Sequence, residues 1–99
     1  MARLTIHLQN GFDDDEVVIR SGGEELLRRT GVKTRRVLGL AEHTGIDVPD
    51  GPRSLDISVP NRGLEKHLDL DVEGDVHVGV SVDGNGLRVI TRDKPFGYG

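Results

Sequence analysis

The chain has 99 residues, 34% of them apolar and 30% charged, a formal net charge of -4 and no cysteine. That length fits one domain, and the lack of Cys excludes structural disulfides, thiol catalysis and thiolate zinc sites. The acidic balance argues against a dedicated nucleic-acid binder, and no segment approaches the roughly 20 apolar residues that cross a bilayer as a helix.

The first element is predicted from alternation. Leu4, Ile6 and Leu8 are separated by Thr5, His7 and Gln9 before Asn10-Gly11 breaks the run, which describes a strand with one apolar face. The same alternation lacks the unbroken apolar core of a secretory signal, so a cytoplasmic location is expected. An acidic turn, Asp13-Asp14-Asp15-Glu16, follows. Its carboxylates are candidate calcium ligands, although Ca²⁺ needs six to eight oxygens and Asp69, Asp71, Asp75 or Asp83 would have to supply the rest.

Residues 16–21 resume as strand, and Gly22-Gly23 suits a two-residue hairpin turn with φ > 0. Glu24 to Arg29 read either as the return strand or as a short helix, because Ser21 with Glu24 has capping-box spacing and both Glu residues precede an Arg by four. Seven residues between Gly23 and Gly31 are too few for a stable helix without apolar periodicity, which favours strand. Pairing Ser21 with Glu24 would set Ile19 opposite Leu26, Val18 opposite Leu27 and Glu16 opposite Arg29. That hairpin would be apolar on both sides, making Val18 and Leu27 candidates for self-association.

Arg28, Arg29, Lys33, Arg35 and Arg36 form the one basic stretch. No aromatic residue is interleaved for base stacking, so contact with an acidic protein surface is the functional reading. A brief helix around residues 34–43 is the alternative to short extended pieces. Pro49-Asp50-Gly51-Pro52 then marks a turn, and Leu55, Ile57 and Val59 alternate with polar residues as the next strand.

The last third has the clearest periodicity. Leu68, Leu70 and Val72 alternate with His67, Asp69 and Asp71, and Val76 to Val82 alternate with His77, Gly79 and Ser81. Read as a hairpin around Glu73-Gly74-Asp75, these strands would set Asp71 opposite His77 and His67 opposite Ser81. A second hairpin through Asp83-Gly84-Asn85-Gly86, pairing Val82 with Leu87, sets Arg92 opposite His77. Phe96 and Tyr98 in the terminal segment 94–99 are expected to dock on the domain's own edge or to meet a partner.

The rhythm of turns predicts an all-β fold: a small antiparallel β-sandwich of about seven or eight strands spanning residues 1–99. In general architecture this pattern resembles immunoglobulin-like and transthyretin-like modules. His7, His43, His67 and His77 follow no zinc spacing, and neither a dinucleotide fingerprint nor a phosphate loop occurs. The expected function is that of a noncatalytic interaction or accessory module, acting through a protein partner or self-association, without cofactor, membrane or nucleic acid. The alternative is a small hydrolase or lyase with a cleft lined by His67, Asp69, Asp71 and His77.

Overall fold

A computed structural model describes residues 2–35, 40–84, 86–94 and 96. Among these residues, eight strands run in the order β1 (Ala2–Leu8), β2 (Asp15–Ser21), β3 (Glu24–Val32), β4 (Glu42–Val48), β5 (Gly51–Val59), β6 (Leu64–Val72), β7 (Asp75–Asp83) and β8 (Gly86–Arg92). A single 3₁₀ turn at Pro60–Arg62 separates β5 from β6.

The strands form two four-stranded sheets, β4-β1-β7-β8 and β3-β2-β5-β6. Each sheet is apolar on one face because its strands alternate, and burying both faces together makes the core. Leu4, Ile6 and Leu8 from β1, Val78 and Val80 from β7, Val17 and Ile19 from β2, and Leu55, Ile57 and Val59 from β5 are all at most 1% exposed. β1, β7, β2 and β5 are the inner strands, which is why their apolar positions are buried most completely.

Three expectations are corrected. The sandwich is not purely antiparallel: β1 and β7 pair in parallel, with Ile6 beside Val78. β6 and β7 do not form a hairpin either. β6 pairs with β5 and β7 with β1 and β8, so the Glu73-Gly74 connection carries the chain from one sheet to the other. Consequently Asp71 does not oppose His77, nor His67 Ser81. Two amphipathic strands joined by a short turn satisfy their apolar faces equally well by pairing side by side or by facing each other across a core.

The third correction concerns the β2–β3 hairpin. Gly22 (φ 57°) and Gly23 (φ 85°) make the anticipated turn and Ser21 pairs with Glu24. A bulge at Leu26 then shifts the register, so Ile19 meets Leu27, and Val18 meets Arg28. An extra residue on one strand of a pair turns the following side chains to the other face. Leu27 thereby joins Ile19 in the core, while Val18 lies outward between Arg28 and Ser58. Val18 and Leu27 are 3% and 6% exposed, leaving no open apolar pair there for self-association.

Residues 24–29 are strand rather than helix. Within 34–43, Arg35 and Leu40 form an isolated antiparallel bridge and Glu42 opens β4, so the described residues there are not helical; residues 36–39 lie outside the described set. The β7–β8 hairpin has the expected register, with Val82 beside Leu87 and His77 beside Arg92.

Candidate functional site: an imidazole cluster on a sheet face

The odd-numbered residues of β1 point away from the core, and pairing on both sides of β1 places histidines beside them. His7 is directly opposite His43 on β4. On the other side, Thr5 pairs with His77 and His7 with Gly79, so His77 lies diagonally next to His7. The His7 and His43 rings stack with centroids 5.8 Å apart. His7 Nε2 and His77 Nδ1 are 3.0 Å apart, a hydrogen bond in which one ring donates and the other accepts.

Phe96 completes the cluster. Its ring meets His7 in an edge-on arrangement, with centroids 4.9 Å apart, and the Arg92 guanidinium carbon lies 5.3 Å from the Phe96 centroid. That distance is within cation–π range. Tyr98 is outside the described residues. His7 is buried, His77 and Phe96 are half-buried, and His43 and Arg92 are exposed. The rows His43–His7–Gly79–Ile90 and Gly45–Thr5–His77–Arg92 contain no carboxylate.

Burial holds the His7 imidazole down at about 4, with the neighbouring His77 and His43 adding to the effect. The charged ring would lose hydration and face two potential cations. This has a defined consequence for stability. His7's folded-state value lies below its ordinary 6.5, so between pH 6.5 and 4 the unfolded chain binds the extra proton. Stability is therefore complete above about pH 6.5 and falls as the pH drops through this window. Urea midpoints at pH 7, 5.5 and 4.5 should decline more steeply for the native sequence than for His7→Gln; parallel slopes would contradict a neutral buried His7.

The other candidates are distributed elsewhere. His67 lies on the outward face of the second sheet, where Nδ1 is 2.7 Å from Asp56 and Nε2 is 3.3 Å from Asp69. The Asp56 hydrogen bond, followed by the two negative charges, raises its pKa. His67 and His77 thus belong to different sheets, and His67, Asp69, Asp71 and His77 do not form a shared cleft. Asp69 and Asp71 instead border a cleft with Glu73, Asp75 and Arg92 at one end of the sandwich.

The acidic turn is also built differently from a calcium loop. Asp15 is 1% exposed, and its Oδ1 accepts from Asn61 Nδ2 (2.6 Å) and Arg62 Nε (2.8 Å). Its Oδ2 accepts from Arg62 Nη2 and the Asp13 backbone N–H, both at 2.8 Å. The Arg62 bonds, outweighing the cost of burial, hold Asp15 down at about 2. Glu16 is paired with Arg28 at 2.9 Å, while Asp13 and Asp14 are exposed. The central carboxylate is therefore engaged by a guanidinium, and among the described residues no three His, Asp or Glu side chains converge in metal-binding geometry.

In the basic stretch, Arg28 also pairs with Glu25 at 2.9 Å, and Arg29 with Glu42 at 2.8 Å, tying the two sheets together. Lys33 and Arg35 are exposed, and Arg36 is outside the described residues. Sequence reasoning missed the His7–His43–His77 grouping. His7 and His77 were legible on polar strand faces, but His43 falls in a stretch without clear periodicity, and the pairings of β1 that join the three are long-range. No known family model matches the chain, and a search of curated proteins finds no relative.

Proposed function

We propose that this domain is a noncatalytic interaction module that recognises a protein partner through the outward face of the β4-β1-β7-β8 sheet. The observation that carries this reading is the contiguous His43–His7–Phe96–Arg92 cluster, in which one aromatic ring contacts both a buried imidazole and an exposed guanidinium. Aromatic and arginine side chains supply most of the energy in protein interfaces, because they bury large areas at modest entropic cost. Phe96 is held in place by His7 before any partner arrives, which reduces the ordering cost of binding.

The proposal keeps the module in the cytoplasm and its fold in the immunoglobulin-like or transthyretin-like class. The fold assignment is supported by two four-stranded sheets whose connections repeatedly cross between layers. No helix among the described residues is long and apolar enough to cross a membrane.

Site-specific photocrosslinking in the source cells tests the surface. A benzophenone side chain at exposed position 43 should give a discrete protein adduct that Phe96→Ala diminishes, whereas the same probe at exposed position 30, on β3 of the other sheet, should not. Equal labelling from the two positions would refute the assignment.

A further inference from the structure

Most arginines among the described residues already face a carboxylate: Arg3 pairs with Asp47, Arg20 with Glu25, Arg28 with Glu16 and Glu25, Arg29 with Glu42 and Arg62 with Asp15. Arg88 makes no ion pair among them. It lies on β8, an edge strand, and alternates along the outward face with Ile90 and Arg92. At 37% exposure, Ile90 is the one exposed large apolar side chain among the described residues. As an edge strand, β8 leaves one row of backbone N–H and C=O groups outside the sheet's own ladder, the template another strand needs, and its two guanidinium groups select a strand that carries carboxylates opposite them.

The complementary edge belongs to the same chain. β6 is the edge of the other sheet and presents Glu65, His67, Asp69 and Asp71 outward. β6 and β8 lie against each other on one flank of the sandwich, and Asp69–Asp71 share a cleft with Thr91–Arg92. The C-terminal halves of both strands are therefore at the same end, and the strands run in the same direction. A half-turn about an axis along that direction brings β8 of one copy beside β6 of a second, and β6 beside the second copy's β8. Both contacts close at once, as an isologous dimer requires.

Side-chain spacing fits this arrangement. Arg88 and Arg92 are four residues apart, as are Glu65 and Asp69. One parallel register sets Arg88 beside Glu65 and Arg92 beside Asp69, while Leu87 meets Leu64 and Thr91 meets Leu68 on the inner face. The fold already uses such a parallel pair between β1 and β7. We propose that a second copy of this chain docks along this flank, joining β8 to β6 reciprocally so that the two sandwiches form continuous sheets. The two surfaces share Arg92, but the dimer is tested at Arg88 and Glu65, which lie outside the Phe96 cluster.

Sedimentation equilibrium over a broad concentration range should show a monomer–dimer equilibrium. Arg88→Glu should weaken it by about tenfold or more, because each dimer contains two copies of the reversed pair. Adding Glu65→Arg to the same chain should restore association. Arg88 is exposed, and circular dichroism checks that each variant is folded. On the unaltered protein, raising ionic strength should weaken the dimer and hydrogen exchange should show β6 and β8 edge amides gaining protection with concentration. A monomer at every concentration, or a dimer indifferent to both Arg88→Glu and salt, would overturn the proposal.

Discussion

Gly11→Ala should destabilise the fold by about 3 kcal/mol or more, lowering the thermal midpoint by roughly 15 °C for a domain of this size. Gly11 adopts φ 84°, where an L side chain is strained by about 1–2 kcal/mol. The greater cost is steric. A Cβ at this position would lie 2.1 Å from the Val82 carbonyl oxygen and 2.9 Å from its carbon, and backbone atoms cannot rotate aside. Asn10, the preceding residue, accepts the Val82 N–H at 2.8 Å, so moving residue 11 away would also disturb the end of the β1–β7 pairing. Gly74→Ala is the control. Gly74 has φ 61° but its Cβ would meet nothing within 4 Å, so only the conformational strain should appear. Equal losses for the two substitutions, read from urea unfolding, would show that the contact with Val82 relaxes without cost.

The Asp15–Arg62 pair should have a comparable effect. Asp15→Ala is expected to cost about 3 kcal/mol at pH 7, since it removes a buried carboxylate that receives four hydrogen bonds and leaves its donors without their acceptor. Arg62→Ala should be similarly harmful for a different reason. It leaves the Asp15 charge buried without its guanidinium. The pair also predicts the shape of acid unfolding. Asp15 is held near 2, below its ordinary 3.8, so its contribution is complete above about pH 4 and is lost as the pH falls through 2. Unfolding curves at pH 7, 4 and 2.5 should show that part of the decline between the last two values disappears in Asp15→Asn. A variant within about 0.5 kcal/mol of the native protein at pH 7 would reduce the pair to an ordinary surface contact.

These two positions show different degrees of legibility. Asn10-Gly11 is readable as a strand breaker, but the carbonyl that makes Gly11 irreplaceable comes from β7, 71 residues later in the numbering. The acidic turn is visible as a cluster of like charges, and nothing local identifies Asp15 as the buried member. Asn61 and Arg62 select it, because the 3₁₀ turn after β5 delivers both side chains to that carboxylate. A cluster of carboxylates in sequence thus resolves into one buried ion pair and its exposed neighbours.

The strands themselves were determined locally. Alternation with a period of two marks β1, β5, β6 and β7, and Gly22-Gly23 and the Asp83–Gly86 turn identify two hairpins, because side-chain direction and turn φ depend on adjacent residues. The register of the β7–β8 hairpin follows from its turn alone. Which sheet a strand enters does not. Val72 and Val76 are apolar whether β6 and β7 pair laterally or face each other across the core, and only the competition among all eight strands for partners selects the second arrangement. The same long-range choice brings β7 beside β1, collects His7, His43 and His77 on one face, and separates His77 from His67. Alternation decides that a histidine faces outward; tertiary pairing decides which histidine stands next to it.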